Sequence, residues 1–205
     1  CLDADPGYFA AGSGNANQTP ADPGYFAAGS GNANQTACSP GTYQPSSGQE
    51  SCLDSDPGSH SPGSGNADQT ACSPGTYQPS SGQGSCIDAD PGHYVDASGS
   101  ASQTACSPGA YQPSAGQDGC LDADPGYYVD SDASTSQTPC GLGTYNPDSG
   151  SNNSSACLDA DPGHYVDSSG SASQTPCPPG AYQSQSGQDG CLESEIGFFA
   201  DDYGS

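Results

Sequence analysis

The sequence predicts a disulfide-stapled, mostly irregular, short-β tandem-repeat rod with no helix of note. Three observations carry that expectation. A glycine followed two residues later by an aromatic recurs at a 17-residue step, cysteines occupy two fixed positions of alternate repeats, and no window holds an apolar helical period over a helix's length.

The step is regular along the chain. The glycines are Gly7, Gly24, Gly41, Gly58, Gly75, Gly92, Gly109, Gly126 and Gly143, then, after a three-residue insertion, Gly163, Gly180 and Gly197. The aromatic position reads Phe9, Phe26, Tyr43, His60, Tyr77, Tyr94, Tyr111, Tyr128, Tyr145, Tyr165, Tyr182 and Phe199, with His60 the one departure from Phe or Tyr. Residues 1–3 are then the tail of a preceding unit, and 4–205 form a tandem array with repeats starting at 4, 21, 38, 55, 72, 89, 106, 123, 140, 160, 177 and 194. Ten of the twelve glycines follow Pro, the signature of a type II turn with Pro at its second residue and Gly at its third. The aromatic starts a short extended stretch, a Ser/Gly-rich turn follows, and each repeat becomes two short extended pieces between turns. The aromatic is placed to pack on the disulfide and on the next repeat's Pro-Gly turn, with each repeat touching mainly its neighbours.

Two kinds of repeat alternate to make a 34-residue super-repeat. Cysteine-bearing repeats carry Cys at positions 1 and 15. In the others position 1 is Ala or Ser and position 15 is Gln18, Gln35, Gln69, Gln103, Gln137 or Gln174. Joint loss is what a bonded pair shows, so the favoured pairing is Cys38–Cys52, Cys72–Cys86, Cys106–Cys120, Cys140–Cys157 and Cys177–Cys191. The rival scheme links Cys1–Cys38, Cys52–Cys72 and so on across the cysteine-free repeats. A closed loop of this size contributes ~3 kcal/mol in the chain-entropy model, which matters because 17 residues cannot bury a core alone. Cys1 reads as the second cysteine of a preceding repeat, since Cys1–Gly7 recurs at Cys120–Gly126 and Cys157–Gly163.

Composition narrows the function. The chain has 205 residues, no Lys or Arg, and 24 acidic residues, for a formal net charge of -24. Nucleic-acid binding needs basic side chains to displace counterions, and a polybasic membrane patch needs them too, so both are excluded. No apolar run approaches the ~18 residues of a membrane span, so no membrane insertion is expected. Eleven cysteines without a Cys-x-x-Cys fit an oxidising, extracellular compartment.

The pattern Cys72-Ser-Pro-Gly-Thr-Tyr-Gln-Pro-Ser-Ser-Gly-Gln-Gly-Ser-Cys86 resembles the cysteine-rich repeats of ephrin-receptor-like and TNF-receptor-like ectodomains. The resemblance covers nearly the whole chain and implies an extended, disulfide-laddered extracellular rod. Alternate repeats depart from it by lacking both cysteines, which suits a structural array better than a receptor.

Candidate sites follow from chemistry. Asp88, Asp90 and Asp96, Asp122, Asp124 and Asp130, and Asp159, Asp161 and Asp167 recur as Asp-x-Asp-Pro-Gly sets, with Asp54 and Asp56 a shorter version. Such oxygens before a glycine turn suit calcium, the candidate cofactor; the alternative is a solvated acidic face. Asn17, Asn34, Asn152 and Asn153 are sequons for covalent glycans, the last two overlapping. Ser and Thr also permit O-glycans, with no positional motif to choose among them. His60, His93 and His164 read as repeat aromatics, and the chain is expected not to be an enzyme. The expected function is a structural subunit of an extracellular filament or surface appendage, a homopolymer of copies of itself. A ligand-binding receptor ectodomain or adhesin stalk is the alternative.

Overall fold

A computed structural model describes residues 3–12 and 17–195. Cys1, Gly197 and Phe199 lie outside them. Every described repeat is one small antiparallel hairpin, its strands only two residues long. The first strand takes positions 5 and 6 of the repeat and the second positions 16 and 17, or 19 and 20 in the repeat with the insertion, where it is Leu158–Asp159. Tyr25–Phe26 pairs with Thr36–Ala37, and Thr42–Tyr43 pairs with Leu53–Asp54. The residue at position 6 stands opposite position 16: Phe26 faces Thr36 and Tyr43 faces Leu53.

The Pro-Gly pairs fold as the expected turns. Tyr25 N–H donates to the Asp22 carbonyl at 2.9 Å, and Gly24 between them has φ +85°, the left-handed third position of a type II turn. The same four-residue turn recurs at Ser73–Thr76 and Asp124–Tyr127, each closed at 3.0 Å.

Two compact bodies are distinguished. The first comprises Cys1–Asp90, Tyr94–Thr104 and Gly116–Asp118. Within it, backbone groups join successive hairpins by a repeated set of bonds. The turn glycine donates to position 7 of the next repeat: Gly7 to Ala27 O, Gly24 to Gln44 O, Gly41 to Ser61 O, Gly58 to Gln78 O and Gly75 to Val95 O, at 2.7–2.9 Å. Position 1 returns the bond to the preceding turn, as Cys72 N–H donates to Gly58 O at 2.9 Å. Position 11 reaches back as well, Gly82 N–H to Ser55 O at 2.8 Å. The second body comprises Pro91–His93, Ala105–Ala115 and Gly119–Ser205. It repeats the scheme with Gly109 donating to Val129 O and Gly126 to Asn146 O, at 2.8 and 2.7 Å. The three-residue insertion leaves the scheme intact, since Gly143 still donates to Val166 O at 2.8 Å. The extra residues are taken up in a 3₁₀ turn, Ser154–Ala156, inside the Cys140–Cys157 loop.

Contacts also reach one repeat further than the neighbour-only expectation. A Cβ placed on Gly75 would lie 2.4 Å from the Gly116 carbonyl oxygen, and one on Gly24 would lie 2.3 Å from that of Gly65. In the second body Gly126 stands in the same way against Gly170 O, at 2.1 Å. The partner is position 11 two repeats along, so the turn must be glycine for its φ and again for the approach of a second backbone.

The buried residues are small. Position 1 is wholly covered whatever it holds: Ala21, Cys38, Ser55, Cys72 and Ala89 in the first body, Ala123, Cys140, Ala160 and Cys177 in the second. Position 7 is buried too, as Ala27, Ser61, Val95, Val129 or Val166 in cysteine-free repeats and as Gln44, Gln78, Gln112, Asn146 or Gln183 in the others. The buried glutamines are satisfied locally: Gln78 Nε2 donates to Ser85 O at 2.7 Å and its Oε1 accepts from Ser80 N–H at 3.1 Å. A core of single Ala, Val and Cys residues contributes little per repeat, which leaves the covalent staples a large share of the stabilisation. They run Cys38–Cys52, Cys72–Cys86, Cys106–Cys120, Cys140–Cys157 and Cys177–Cys191. All close within one hairpin, which is the local scheme.

Candidate functional site

The two kinds of repeat prove to be two ways of closing the same hairpin. Where the cystine is missing, the position-15 glutamine clasps the position-2 aspartate. Gln103 Oε1 accepts the Asp90 N–H at 2.7 Å, and Gln103 Nε2 donates to Asp90 Oδ2 at 2.7 Å. The same pair of hydrogen bonds joins Gln18 to Asp5, Gln35 to Asp22, Gln69 to Asp56, Gln137 to Asp124 and Gln174 to Asp161. Cysteine-bearing repeats place Ser39, Ser73, Ser107, Gly141 or Pro178 where the aspartate would be. Cys-to-Gln and the Asp beside position 1 therefore change together, a partnership that only the strand register brings out.

This arrangement redistributes the carboxylates proposed for calcium. Asp56, Asp90, Asp124 and Asp161 each give one oxygen to the clasp. Asp54 and Asp88 end a second strand and stand beside Gly82 and Gly116, two repeats along; Asp122 and Asp159 stand beside Gly150 and Gly187 in the same way. Asp96, Asp130 and Asp167 follow the first strand, the last two accepting from Ser131 Oγ and Ser168 Oγ at 2.9 and 3.1 Å. All eleven are exposed. Among the described residues, no three of these carboxylates bring oxygens within 4.8 Å of one another. The Asp-x-Asp spacing does not converge because one carboxylate meets the far glycine while the other turns across its own hairpin.

His60, Cys72 and Cys86 do come within 4.8 Å. Both sulfurs belong to one cystine, so no thiolate is offered to a metal. His60 Nδ1 lies 3.2 Å from Cys86 Sγ, which places the position-6 ring on the next repeat's disulfide, as expected of the repeat aromatic. His93 Nδ1 and His164 Nδ1 lie 3.4 and 3.5 Å from the carbonyls of Pro91 and Pro162 in their own turns.

The sequon residues Asn17, Asn34, Asn152 and Asn153 are exposed. Asn153 caps the 3₁₀ turn, its Oδ1 accepting from Ser155 N–H at 2.9 Å and from the Ser155 hydroxyl. Its Nδ2 donates to Asn152 Oδ1 at 2.7 Å.

Residues 58–106, about a quarter of the chain, match the family model described as tyrosine-protein kinase ephrin type A/B receptor-like. The stretch holds the whole Cys72–Cys86 repeat with the cysteine-free hairpins that flank it. No curated protein matches the chain. The five staples make the chain a cysteine-rich, disulfide-stapled tandem repeat, of which residues 58–106 are similar to the ephrin-receptor-like family.

Proposed function

We propose that the chain is a structural subunit of an extracellular filament or surface appendage that assembles with copies of itself through repeat stacking. The observation that supports this most is the chemistry of the repeat-to-repeat contact. It consists of backbone N–H and carbonyl groups, as at Gly24–Gln44 and Gly109–Val129, with a close approach of turn glycine to a position-11 backbone carbonyl that recurs at Gly24–Gly65 and Gly126–Gly170. A surface specified by backbone accepts another repeat of the same kind from any chain. The exposed sequon asparagines carry glycans in this reading, and calcium adsorbs to the acidic face, with ligands completed by carbonyls or by a second copy.

Negatively stained filaments in purified protein test the reading. The charge of -24 opposes association, and raising salt from 10 to 150 mM shortens the Debye length from about 30 to about 8 Å. Filaments are therefore expected to lengthen over that range. Monomers by light scattering at 150 mM salt, with and without millimolar calcium, would refute polymerisation. That outcome would favour the second reading, a receptor ectodomain or adhesin stalk, which the match at residues 58–106 supports.

A further inference from the structure

Position 16 of the repeat separates the two kinds of hairpin on their outer side. Cysteine-bearing repeats place aliphatic side chains there that stay about half exposed, such as Leu53 at 48% and Leu121 at 50%. Every cysteine-free repeat up to residue 176 places threonine there: Thr19, Thr36, Thr70, Thr104, Thr138 and Thr175, all exposed. Among the described residues none of these six hydroxyls has a protein hydrogen-bond partner. The threonines at position 5 differ. The hydroxyls of Thr42, Thr76 and Thr144 each donate to the carbonyl at the start of their own turn, at 2.8 Å.

The strand register sets an aromatic ring beside the free hydroxyl. Thr19 stands opposite Phe9, Thr36 opposite Phe26, Thr70 opposite His60, Thr138 opposite Tyr128 and Thr175 opposite Tyr165. Directly opposed residues of an antiparallel pair project to one face with Cβ atoms ~5 Å apart. At Thr36 the neighbourhood is also concave. An open, mostly apolar depression is lined there by Phe26, Thr36, Ala37, Ser39, Thr42, Ser51 and Cys52, and of its two threonines Thr42 has its hydroxyl engaged by the Ser39 carbonyl.

We propose that the position-16 threonine of each cysteine-free repeat is an O-glycosylation site, and that the first sugar lies with its C–H face on the opposed aromatic ring. A free hydroxyl loses no protein bond when it is substituted. The half-exposed aliphatics at the equivalent position show that the space outside the hairpin is open. The reaction takes a nucleoside-diphosphate sugar and an external glycosyltransferase. The Oγ1–C1 glycosidic bond forms, the C1–O bond to the diphosphate breaks, the hydroxyl proton passes to the transferase's base, and the nucleoside diphosphate leaves. The proposal rests on the extracellular reading and not on polymerisation.

The test uses the full chain secreted by a eukaryotic cell. N-glycans are removed enzymatically, because Thr19 and Thr36 also complete the Asn17 and Asn34 sequons. The chain is then cut at aspartate and sequenced by electron-transfer mass spectrometry. Sugar masses are expected on Thr70, Thr104, Thr138 and Thr175, with Thr42, Thr76 and Thr144 bare. Thr104→Val and Thr138→Val should each lower the intact mass by one glycan while the melting temperature stays within the range of the parent. Bare threonines at position 16, sugar spread equally over positions 5 and 16, or valine variants of undiminished glycan mass would each overturn the assignment. None of these results bears on whether filaments form.

Discussion

If clasp and cystine are alternative closures of one hairpin, one can be exchanged for the other. Ala89→Cys with Gln103→Cys converts the Gln103–Asp90 clasp of the first body into a staple. Position 1 accepts the sulfur, since Cys72 and Cys106 occupy it in the flanking repeats at 0% and 1% exposure, as Ala89 does at 0%. The cystines at this register span 5.8 and 5.9 Å between Cα atoms, inside the normal range. A closed loop of this size contributes ~3 kcal/mol. Against it stands the loss of the two Gln103–Asp90 bonds, which at an exposed site are together worth ~1–2 kcal/mol. The net gain is ~1–2 kcal/mol, which for a chain of this length is a rise of about 2–8 °C in Tm. Thermal melts of the oxidised and reduced variant beside the parent measure it, with thiol titration reporting closure. Two titratable thiols in the oxidised preparation, or an oxidised variant no more stable than the parent, would refute the equivalence of the two closures.

Three other substitutions probe features of the array. Gly75→Ala combines a left-handed φ of +85° with a Cβ 2.4 Å from the Gly116 carbonyl, and the αL term alone is ~1–2 kcal/mol; a loss of at least that much is expected in denaturant melts, and a neutral result would dismiss the next-but-one contact. Ser61 buries an Oγ with no hydrogen-bond partner at the position where Val95 and Ala27 stand, so Ser61→Ala should stabilise by ~1 kcal/mol. Ala133 has φ +55° where other repeats carry glycine, and Ala133→Gly should stabilise by ~1 kcal/mol in the same assay. A destabilised Ala133→Gly protein would mean the methyl packs usefully despite its backbone.

Much of the hairpin was legible in the sequence because it is written in local signals. Pro-Gly spelled the type II turn, and the shared disappearance of Cys at positions 1 and 15 spelled the pairing. The clasp was hidden because Gln103 and Asp90 lie thirteen residues apart and meet only once the strand register is known. In linear spacing that aspartate pairs with Asp88 as a calcium motif, and the glutamine partner thirteen residues away leaves no local trace. The turn-to-glycine contact between Gly75 and Gly116 was hidden for another reason. A 17-residue period fixes how often a feature recurs and says nothing of how far a turn reaches along the stack. The free threonines at position 16 were obscured by composition, since hydroxyls are common here and only burial and hydrogen bonding, read from the fold, separate Thr36 from Thr42.

Residues 4–19 and 21–36 are identical, two cysteine-free repeats in direct succession. Even so, Gly7 donates to Ala27 as Gly41 donates to Ser61. The stacking therefore accepts two cysteine-free repeats in succession as it accepts alternation. A gene encoding such an array can gain or lose a 17-codon block by unequal recombination without exposing an unmatched surface. The span of the protein then becomes a heritable length, adjustable in single-repeat steps, while the exposed side chains drift independently of it.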